Sequence, residues 1–148
     1  MSAGDVVVDD HILLRILLGA EPTELRPSGG AVATTGLWYH RLCRALADPT
    51  VTGTMSRSLG NVDPAIARAA VGAVIELPDS IELTSLRSLS WSMAQLLGSG
   101  ARLNLLSLEA LAAAMHHDGE ICLAVADDNP ALRQAGQRLN VKVRLITL

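Results

Sequence analysis

The chain has 148 residues, of which 49% are hydrophobic, and its formal net charge at pH 7 is −3. This composition excludes a disordered chain, and the negative charge argues against a broad basic surface for nucleic acid. No apolar run approaches the roughly 18 residues that a transmembrane helix needs, and the start MSAGDVVVDD lacks the basic region of a signal peptide. Cys43 and Cys122 lie in apolar segments, as buried free thiols do, so we expect a cytoplasmic protein without membrane contacts.

The first predicted elements are a short strand and an apolar helix. VVV, within Asp5–Asp9, is an apolar run typical of strands that are covered on both faces. It passes through Asp9-Asp10 into HILLRILLG, which predicts a helix that ends at Gly19. The strand therefore stops at carboxylates and turns directly into a helix.

The middle of the chain alternates short strands with helices. The predicted elements are, in order, the strand AVATT, a helix from Thr35 or Gly36 to Ala47, a helix from Asp63-Pro64 to about Glu76, the strand SIELT, and a helix from about Ser85 to Leu97. Asp63 suits the N-cap position and Pro64 the first helical position. Thr50–Asn61 is rich in Ser, Thr and Gly, which predicts a flexible or surface segment.

The last third of the chain predicts helix, strand, helix and strand. SLEALAAAMHH has apolar residues on one helical face, with Ser107 as the predicted N-cap and Glu109 in the first turn. ICLAVA is a continuous apolar run that predicts a buried strand, and it leads into DDNP, a turn and helix-start signature that begins at Asp127. ALRQAGQRLN and VKVRLI follow as the closing helix and strand.

The predicted order β-α-β-α-α-β-α-α-β-α-β indicates the α/β class. Alternating strands and helices of this kind form a mainly parallel sheet with helices on both faces, which is a three-layer α/β/α fold. The chain has no linker long enough to divide it, so we predict one domain spanning residues 1–148.

Three acidic positions are candidates for a shared metal site. Asp9 and Asp127 each follow a predicted buried strand, and open α/β sheets bind ligands beyond the carboxyl ends of their strands. Glu109 lies in the helix that precedes the second of these strands. Converging carboxylates repel one another unless a cation lies among them, and such oxygen ligands suit Mg²⁺ or Mn²⁺.

Each acid also has a purely structural interpretation. Asp9 and Asp127 could cap or turn into the helices that follow them, and Glu109 could serve only the dipole of its own helix. Asp10 is predicted to be the solvent-exposed neighbour of Asp9. Taken together, the positions favour one site in which Asp9, Glu109 and Asp127 are the catalytic and metal-binding residues.

These motifs resemble the PIN domain, the fold of the VapC toxin ribonucleases of bacterial toxin–antitoxin operons. That family opens with a strand, D-T-S and an apolar helix, which VVVDDHILLRILL matches with Asp9 as the first acid and His11 at the serine position. SLEALAAAM is similar to the family's D-A-L-I-A-A helix, with Glu109 in place of Asp. LAVADDNPALRQAGQRLNVKV is similar to L-V-T-x-D followed by a helix and G-x-x-V, with Asp127 as the acid.

The resemblance implies a metal-dependent endoribonuclease that cuts single-stranded RNA, with Asp9, Glu109 and Asp127 holding Mg²⁺ or Mn²⁺. It also implies the toxin of a type II toxin–antitoxin pair, with an antitoxin protein as a partner and a homodimer as the assembly. The chain departs from the family at its second acid, a Glu early in the second helix, where alignment places His40. We therefore expect weak metal binding, and the alternative hypothesis is a degenerate PIN domain that binds a partner or RNA without cutting it.

Other residues leave further hypotheses open. Arg41 and Arg44 lie near the predicted site and could hold RNA phosphate or be surface charges, and the surface interpretation is favoured. Trp38 and Tyr39 are predicted to be core or dimer-surface residues rather than groups that stack on bases. A response-regulator-like or other small α/β binding module also fits an Asp pair after the first strand, but the only Lys, Lys142, lies inside the last strand instead of after a late one.

Overall fold

A computed structural model of the chain describes residues 4–48, 57 and 59–148. In these ranges the strands are β1 (Val6–Val8), β2 (Val32–Thr35), β3 (Ile81–Thr84), β4 (Glu120–Ala124) and β5 (Val143–Ile146). The α-helices are α1 (Asp10–Leu17), α2 (Gly36–Ala47), α3 (Pro64–Ile75), α4 (Leu86–Gly98), α5 (Leu105–His117) and α6 (Pro130–Leu139). None of these helices has the length and apolar character needed to cross a membrane.

The described strands form a single sheet in the order β3-β2-β1-β4-β5, and every neighbouring pair is parallel. The predicted α/β class, the three layers and the order of elements along the chain are confirmed, and the described sheet is entirely rather than mainly parallel. β2 and β3 extend the sheet on one side of β1, whereas β4 and β5 extend it on the other. The order of strands therefore reverses between β1 and β4.

Helices cover both faces of this sheet because its central strand is apolar on both sides. Val7 packs with α4, α5 and α6, whereas Val6 and Val8 point the other way and pack with α1, α2 and α3. Leu111 of α5 and Leu13 of α1 are both fully buried in these two layers. Each such leucine contributes roughly 1.5–3 kcal/mol relative to an exposed one, and the two layers together fix the loops at the sheet edges.

Helix starts are confirmed at two helices and wrong at a third. Thr35 and Asp63 cap α2 and α3 by accepting hydrogen bonds from backbone N–H groups. Ser107 is not the N-cap of α5, because Asn104 Oδ1 accepts a hydrogen bond from the Ser107 N–H at 2.9 Å and starts the helix earlier. Asn caps a helix as well as Ser does. Glu109 consequently lies in the second turn of α5 instead of the first.

The strand β4 is shorter than the apolar run ICLAVA suggested. It ends at Ala124, and Val125–Asp127 form a 3₁₀ turn before α6. Asp127 is therefore carried by a short turn and does not follow the strand directly.

Other predictions for individual segments have mixed outcomes. Of the predicted flexible or surface segment Thr50–Asn61, residues 50–56 and 58 lie outside the described residues. Cys122 is buried as predicted, whereas Cys43 is only half-buried. Trp38 is buried among core residues, which confirms its core interpretation.

Candidate metal centre

Asp9 bridges the two strands between which the sheet reverses. It follows β1, and its Oδ2 accepts a hydrogen bond at 2.8 Å from the Ala124 N–H at the end of β4. Its Oδ1 accepts a second bond at 2.9 Å from the Ile12 N–H, which makes Asp9 the N-cap of α1. The capping interpretation is confirmed, and the same side chain lies where open α/β sheets bind ligands.

Asp10 is fully buried, so the prediction that it is a solvent-exposed neighbour of Asp9 is wrong. It is the first residue of α1, and its Oδ1 accepts a hydrogen bond from the His11 N–H at 3.1 Å. Because α1 begins immediately after Asp9, both acids are held at the N-terminus of the helix, where the helix dipole favours negative charge.

Four side chains converge at this helix start and form what we call the acidic cluster: Asp9, Asp10, His11 and Asp127. Each offers one ligand atom, and these atoms all lie within 4.8 Å of one another. His11 Nδ1 lies 2.6 Å from Asp127 Oδ2. An ionised carboxylate only accepts hydrogen bonds, so the imidazole is the donor.

Arg41 of α2 brings a second cationic side chain to the acidic cluster. Its Nε lies 3.0 Å from Asp10 Oδ2, and its Nη2 lies 3.8 Å from Asp127 Oδ1. The contact with Asp10 is a close ion pair without hydrogen-bond geometry, because Asp10 Oδ2 accepts no hydrogen bond from any residue that the structure describes. This buried oxygen is neutralised by charge but lacks an aligned donor.

Burial raises the pKa of Asp9 to about 7, although its hydrogen bonds with two backbone N–H groups oppose the shift. The nearby charges of Asp10 and Asp127 raise this pKa further. Asp9 therefore takes up and releases its proton near neutral pH, where a cation that binds the carboxylate competes with the proton.

His11 and Asp127 stabilise each other's charged forms. Contacts with the carboxylates of Asp10 and Asp127 raise the pKa of His11 to about 10. The hydrogen bond from His11 lowers the pKa of Asp127 in turn, and the charge of Arg41 lowers it further. At neutral pH the pair is an imidazolium and a carboxylate, so the acidic cluster carries positive charge of its own.

Glu109 is fully buried but is not a member of the acidic cluster. Its Oε1 accepts a hydrogen bond at 2.9 Å from the Leu37 N–H, in the first turn of α2, and its Oε2 accepts none within the described part of the chain. The carboxylate thus serves the dipole of α2 instead of that of its own helix. The structure brings Asp9 and Asp127 together. That Glu109 binds the same metal ion as these two acids stays a prediction.

His40, at the aligned position of the family's second acid, is exposed on α2, and its neighbour Arg41 contacts the acidic cluster. Successive residues of a helix are rotated by about 100°, so a shift of one position exchanges an outward side chain for an inward one. Arg44 is exposed as predicted. The interpretation of Arg41 as a simple surface charge is wrong, because it pairs with two acids.

A cleft of about 340 Å³ opens beside the acidic cluster, and Arg41 and Asp127 form part of its wall. Asn104 and Asn129, the N-caps of α5 and α6, also line it. Asn129 Nδ2 donates to Ser107 Oγ at 2.8 Å and so ties the two helix starts together. Because helix N-termini attract anions, the two helix starts contribute positive potential to a cleft whose wall also holds the carboxylates of Asp127 and Asp128.

Asp10, His11 and Arg41 are functional candidates that the sequence analysis did not assign to the site. For the first two, the available signal was the run Asp-Asp-His directly after a buried strand and at the start of an apolar helix. For Arg41 the signal was its place near the predicted site, but spacing along an amphipathic helix does not tell whether Arg41 or Arg44 meets the edge of the sheet.

The acidic cluster fits a hard divalent cation. Asp9, Asp10 and Asp127 supply carboxylate oxygens, the donors that Mg²⁺ and Mn²⁺ prefer. Asp10 also has a buried oxygen without a hydrogen bond in the described ranges, and a cation satisfies such an oxygen. The structure thus shows an acidic cluster that could hold a metal ion, and it contains Asp9 and Asp127 of the predicted metal ligands but not Glu109.

No family model matches this chain, and no curated protein matches its sequence. Membership of the PIN family stays a prediction that rests on the sequence motifs, whereas the α/β fold and the acidic cluster at the reversal of the sheet are shown by the structure.

Proposed function

We propose that this protein is a divalent-cation-dependent ribonuclease of the PIN type that cuts single-stranded RNA in the cytoplasm. The observation that carries the proposal is the acidic cluster, whose ligand atoms lie within 4.8 Å of one another. It lies at the carboxyl edge of a parallel sheet, at the reversal where such sheets bind ligands. The motif resemblance supports phosphodiester cleavage among the reactions that a carboxylate-bound ion can catalyse.

The side chains of the acidic cluster are held in place before any ligand binds. Two backbone N–H groups fix the oxygens of Asp9, and His11 orients the Asp127 carboxylate through the 2.6 Å contact. Asp9, Asp10 and Asp127 would hold the ion. Bound Mg²⁺ or Mn²⁺ supplies the Lewis acidity that activates water and stabilises the charge developing on a phosphodiester.

The cleft supports a phosphodiester as the substrate. Arg41 lies in its wall, and a guanidinium matches phosphate oxygens in two-point contacts. The starts of α5 and α6 add their dipoles. Trp38 lines the cleft but is only 3% exposed, so contacts with the sugar–phosphate backbone, rather than base stacking, are the proposed source of affinity.

The motif resemblance further supports a toxin that pairs with an antitoxin protein and forms a homodimer. Large apolar side chains are available for contacts with protein partners. Trp91 of α4 is 77% exposed and Ile75 of α3 is 72% exposed. Aromatic side chains in particular are enriched where proteins meet.

A second candidate function is a degenerate PIN domain that binds RNA or a partner without cutting. The observation that favours it is the positive charge already within the site, since His11 and Arg41 each pair with Asp10 and Asp127. These ion pairs compete with a divalent cation for the same carboxylates.

Cleavage of a labelled single-stranded RNA in Mn²⁺ or in EDTA separates the two functions. We expect cleavage in Mn²⁺ that stops in EDTA and in the variant Asp127→Asn. Glu120→Gln is the matched control, because Glu120 begins β4 at the opposite end of the strand from the acidic cluster and takes no part in that cluster or in the wall of the cleft. This control should retain cleavage.

Two outcomes would reject the enzyme. If the wild type does not cleave in Mn²⁺ but binds the RNA, the protein is a binding module. If cleavage persists in EDTA and in Asp127→Asn, the activity does not come from the acidic cluster.

A further inference from the structure

The least satisfied polar atom of the acidic cluster is Asp10 Oδ2. The side chain is fully buried, and this oxygen accepts no hydrogen bond from residues 4–48, 57 or 59–148. Within the described part of the chain, its ion-pair partner is the guanidinium of Arg41, whose Nε lies 3.0 Å away without an aligned N–H. Since a buried carboxylate oxygen needs an aligned donor or a metal, Asp10 retains capacity to bind a cation.

The contacts of Arg41 are of the kind that can be exchanged. Its side chain is 40% exposed, and its second contact, from Nη2 to Asp127 Oδ1, is 3.8 Å long. A partly exposed ion pair with such geometry is weak, because water screens it and the long side chain loses rotational freedom. The guanidinium is therefore held mainly by its 3.0 Å contact with Asp10 Oδ2, which lacks hydrogen-bond alignment and which an ion of higher charge can replace.

His11 and Arg41 divide the oxygens of the same two acids between them. His11 Nδ1 contacts Asp10 Oδ1 at 3.3 Å and Asp127 Oδ2 at 2.6 Å. Arg41 contacts the other oxygen of each carboxylate, Asp10 Oδ2 and Asp127 Oδ1. An ion that binds the two oxygens now facing Arg41 can therefore enter while the contacts of His11 remain.

We propose that Arg41 is the resident counter-ion of this centre and that a divalent cation displaces its guanidinium into the neighbouring cleft. The inference rests on the proposed function, because it takes the acidic cluster to be the metal centre. Arg41 already lines the cleft, so the displaced guanidinium faces the position proposed for the substrate phosphate. Metal binding thereby places a hydrogen-bond donor beside the substrate phosphate. In the free protein, competition with Arg41 weakens metal binding.

The first test measures Mn²⁺ affinity by calorimetry for the wild type, Arg41→Gln and Arg44→Gln. Arg41→Gln should bind Mn²⁺ more tightly by roughly tenfold, a typical size for coupling between two ligands. Arg44→Gln removes the same charge from an exposed position on the same helix, so it should bind like the wild type. Equal tightening in both variants would mean that only overall charge matters, and it would overturn the inference.

The second test uses the unaltered protein and reads the position of Arg41 directly. Phenylglyoxal modifies accessible arginines, and peptide mapping by mass spectrometry follows the rate at Arg41 with and without Mg²⁺. We expect Mg²⁺ to accelerate modification of Arg41 and to leave that of Arg44 unchanged. An unchanged rate at Arg41 under Mg²⁺ concentrations that fill the site would overturn the displacement.

The failure of this inference is distinguishable from failure of the proposed function. If the wild type and Arg41→Gln bind Mn²⁺ with equal affinity, the metal centre stands and the role of Arg41 is rejected. If neither protein binds Mn²⁺, the metal centre is rejected and the inference with it.

Discussion

Carboxylates lie at both ends of the parallel strands: at the amino edge, where the strands begin, and at the carboxyl edge, where they end. The two edges differ in how these carboxylates are paired with hydrogen-bond donors and cations. At the amino edge, Glu120 Oε2 accepts a hydrogen bond from Arg144 Nε at 2.6 Å. Arg144 also donates to the backbone oxygens of Glu24 and Leu25, so its guanidinium joins two strands to the loop before β2. The carboxylate and the guanidinium meet here through an aligned hydrogen bond, which is the stronger kind of charged contact, and Lys142 Nζ lies 3.8 Å from Glu120 Oε1.

At the carboxyl edge, the acidic side chains outnumber the cationic side chains that pair with them. Asp9, Asp10 and Asp127 face two cationic side chains, His11 and Arg41. One oxygen of Asp10 lacks a hydrogen bond from the described residues, and burial raises the pKa of Asp9 to about 7.

The difference in pairing indicates a structural role for the amino edge and a ligand-binding role for the carboxyl edge. Where aligned bonds saturate a charged pair, as at Glu120 and Arg144, the pair fixes loops and strands. Where buried acids are left under-satisfied and a pKa is shifted towards neutrality, the arrangement costs stability and is typical of ligand sites. The variants below test this contrast, from the largest expected effect to the smallest.

Asp10→Asn should have the largest effect, because it removes the carboxylate with the unsatisfied oxygen. We expect Mn²⁺-dependent RNA cleavage to fall by about two orders of magnitude or more, as for the loss of a main electrostatic group in an active site. Glu120→Gln removes a carboxylate from the amino edge and should leave the rate unchanged. Initial rates at a fixed Mn²⁺ concentration measure both, and a similar loss in the two variants would break the comparison.

Asp9→Asn should destabilise the fold by about 1–3 kcal/mol, the cost of an unsatisfied buried group. Both oxygens of Asp9 accept from backbone N–H groups, and an amide keeps only one acceptor oxygen. Urea unfolding at pH 6 measures the change. Below its pKa of about 7 the Asp9 carboxyl is mainly protonated, so the loss of its charge in the variant relieves little repulsion from Asp10 and Asp127. Asp128→Asn is the control, and equal stability of Asp9→Asn and wild type would show that these hydrogen bonds contribute nothing.

The free energy of unfolding in EDTA should fall as pH rises from about 5 to 9. The pKa of Asp9 is raised from 3.8 to about 7, so its contribution to stability is lost as pH rises through 7. The pKa of His11 is raised from 6.5 to about 10, so its contribution is lost as pH rises towards 10. The lowered pKa of Asp127 acts in the opposite sense, but only in acid, below the unfolded value of 3.8.

Urea midpoints at pH 5, 7 and 9 measure this dependence. Asp9→Asn lacks the first titration and should show a flatter profile between pH 5 and 7. A wild type that gains stability over the whole range would refute the assignment of the charges.

His40→Glu should have the smallest effect. The side chain is exposed on α2, while its neighbour Arg41 faces the acidic cluster. We expect Mn²⁺ affinity to match the wild type and stability to change by less than about 0.5 kcal/mol, as for most surface substitutions. Tighter Mn²⁺ binding by this variant, measured by calorimetry, would mean that α2 turns His40 and not Arg41 towards the site.

The fold could be predicted because its signals are local. Short apolar runs such as those of β1 and β4 specify buried parallel strands, and residues such as Thr35 and Asp63 specify helix starts. The start of α5 was missed because two good capping residues, Asn104 and Ser107, lie three positions apart, and only the packed helix shows which side chain accepts the bond.

The candidate site was predicted only in part because its contacts are not local. Asp9 and Asp127 could be paired because both follow strands that adjoin in the sheet. The burial of Asp10 depends on α1 starting at once after the strand, and the contact of Arg41 depends on the rotation of α2 about its own axis. The spacing of residues along the sequence predicts neither the burial of Asp10 nor the contact of Arg41.

The central claim is that the acidic cluster binds a divalent cation, and counting bound Mn²⁺ tests it most directly. Titration followed by electron paramagnetic resonance separates free from bound Mn²⁺ without relying on activity. We predict one bound ion per chain in the wild type and in Asp128→Asn, and none at the same concentrations in Asp127→Asn. A wild type that binds no Mn²⁺, or an ion retained by Asp127→Asn, would contradict the account.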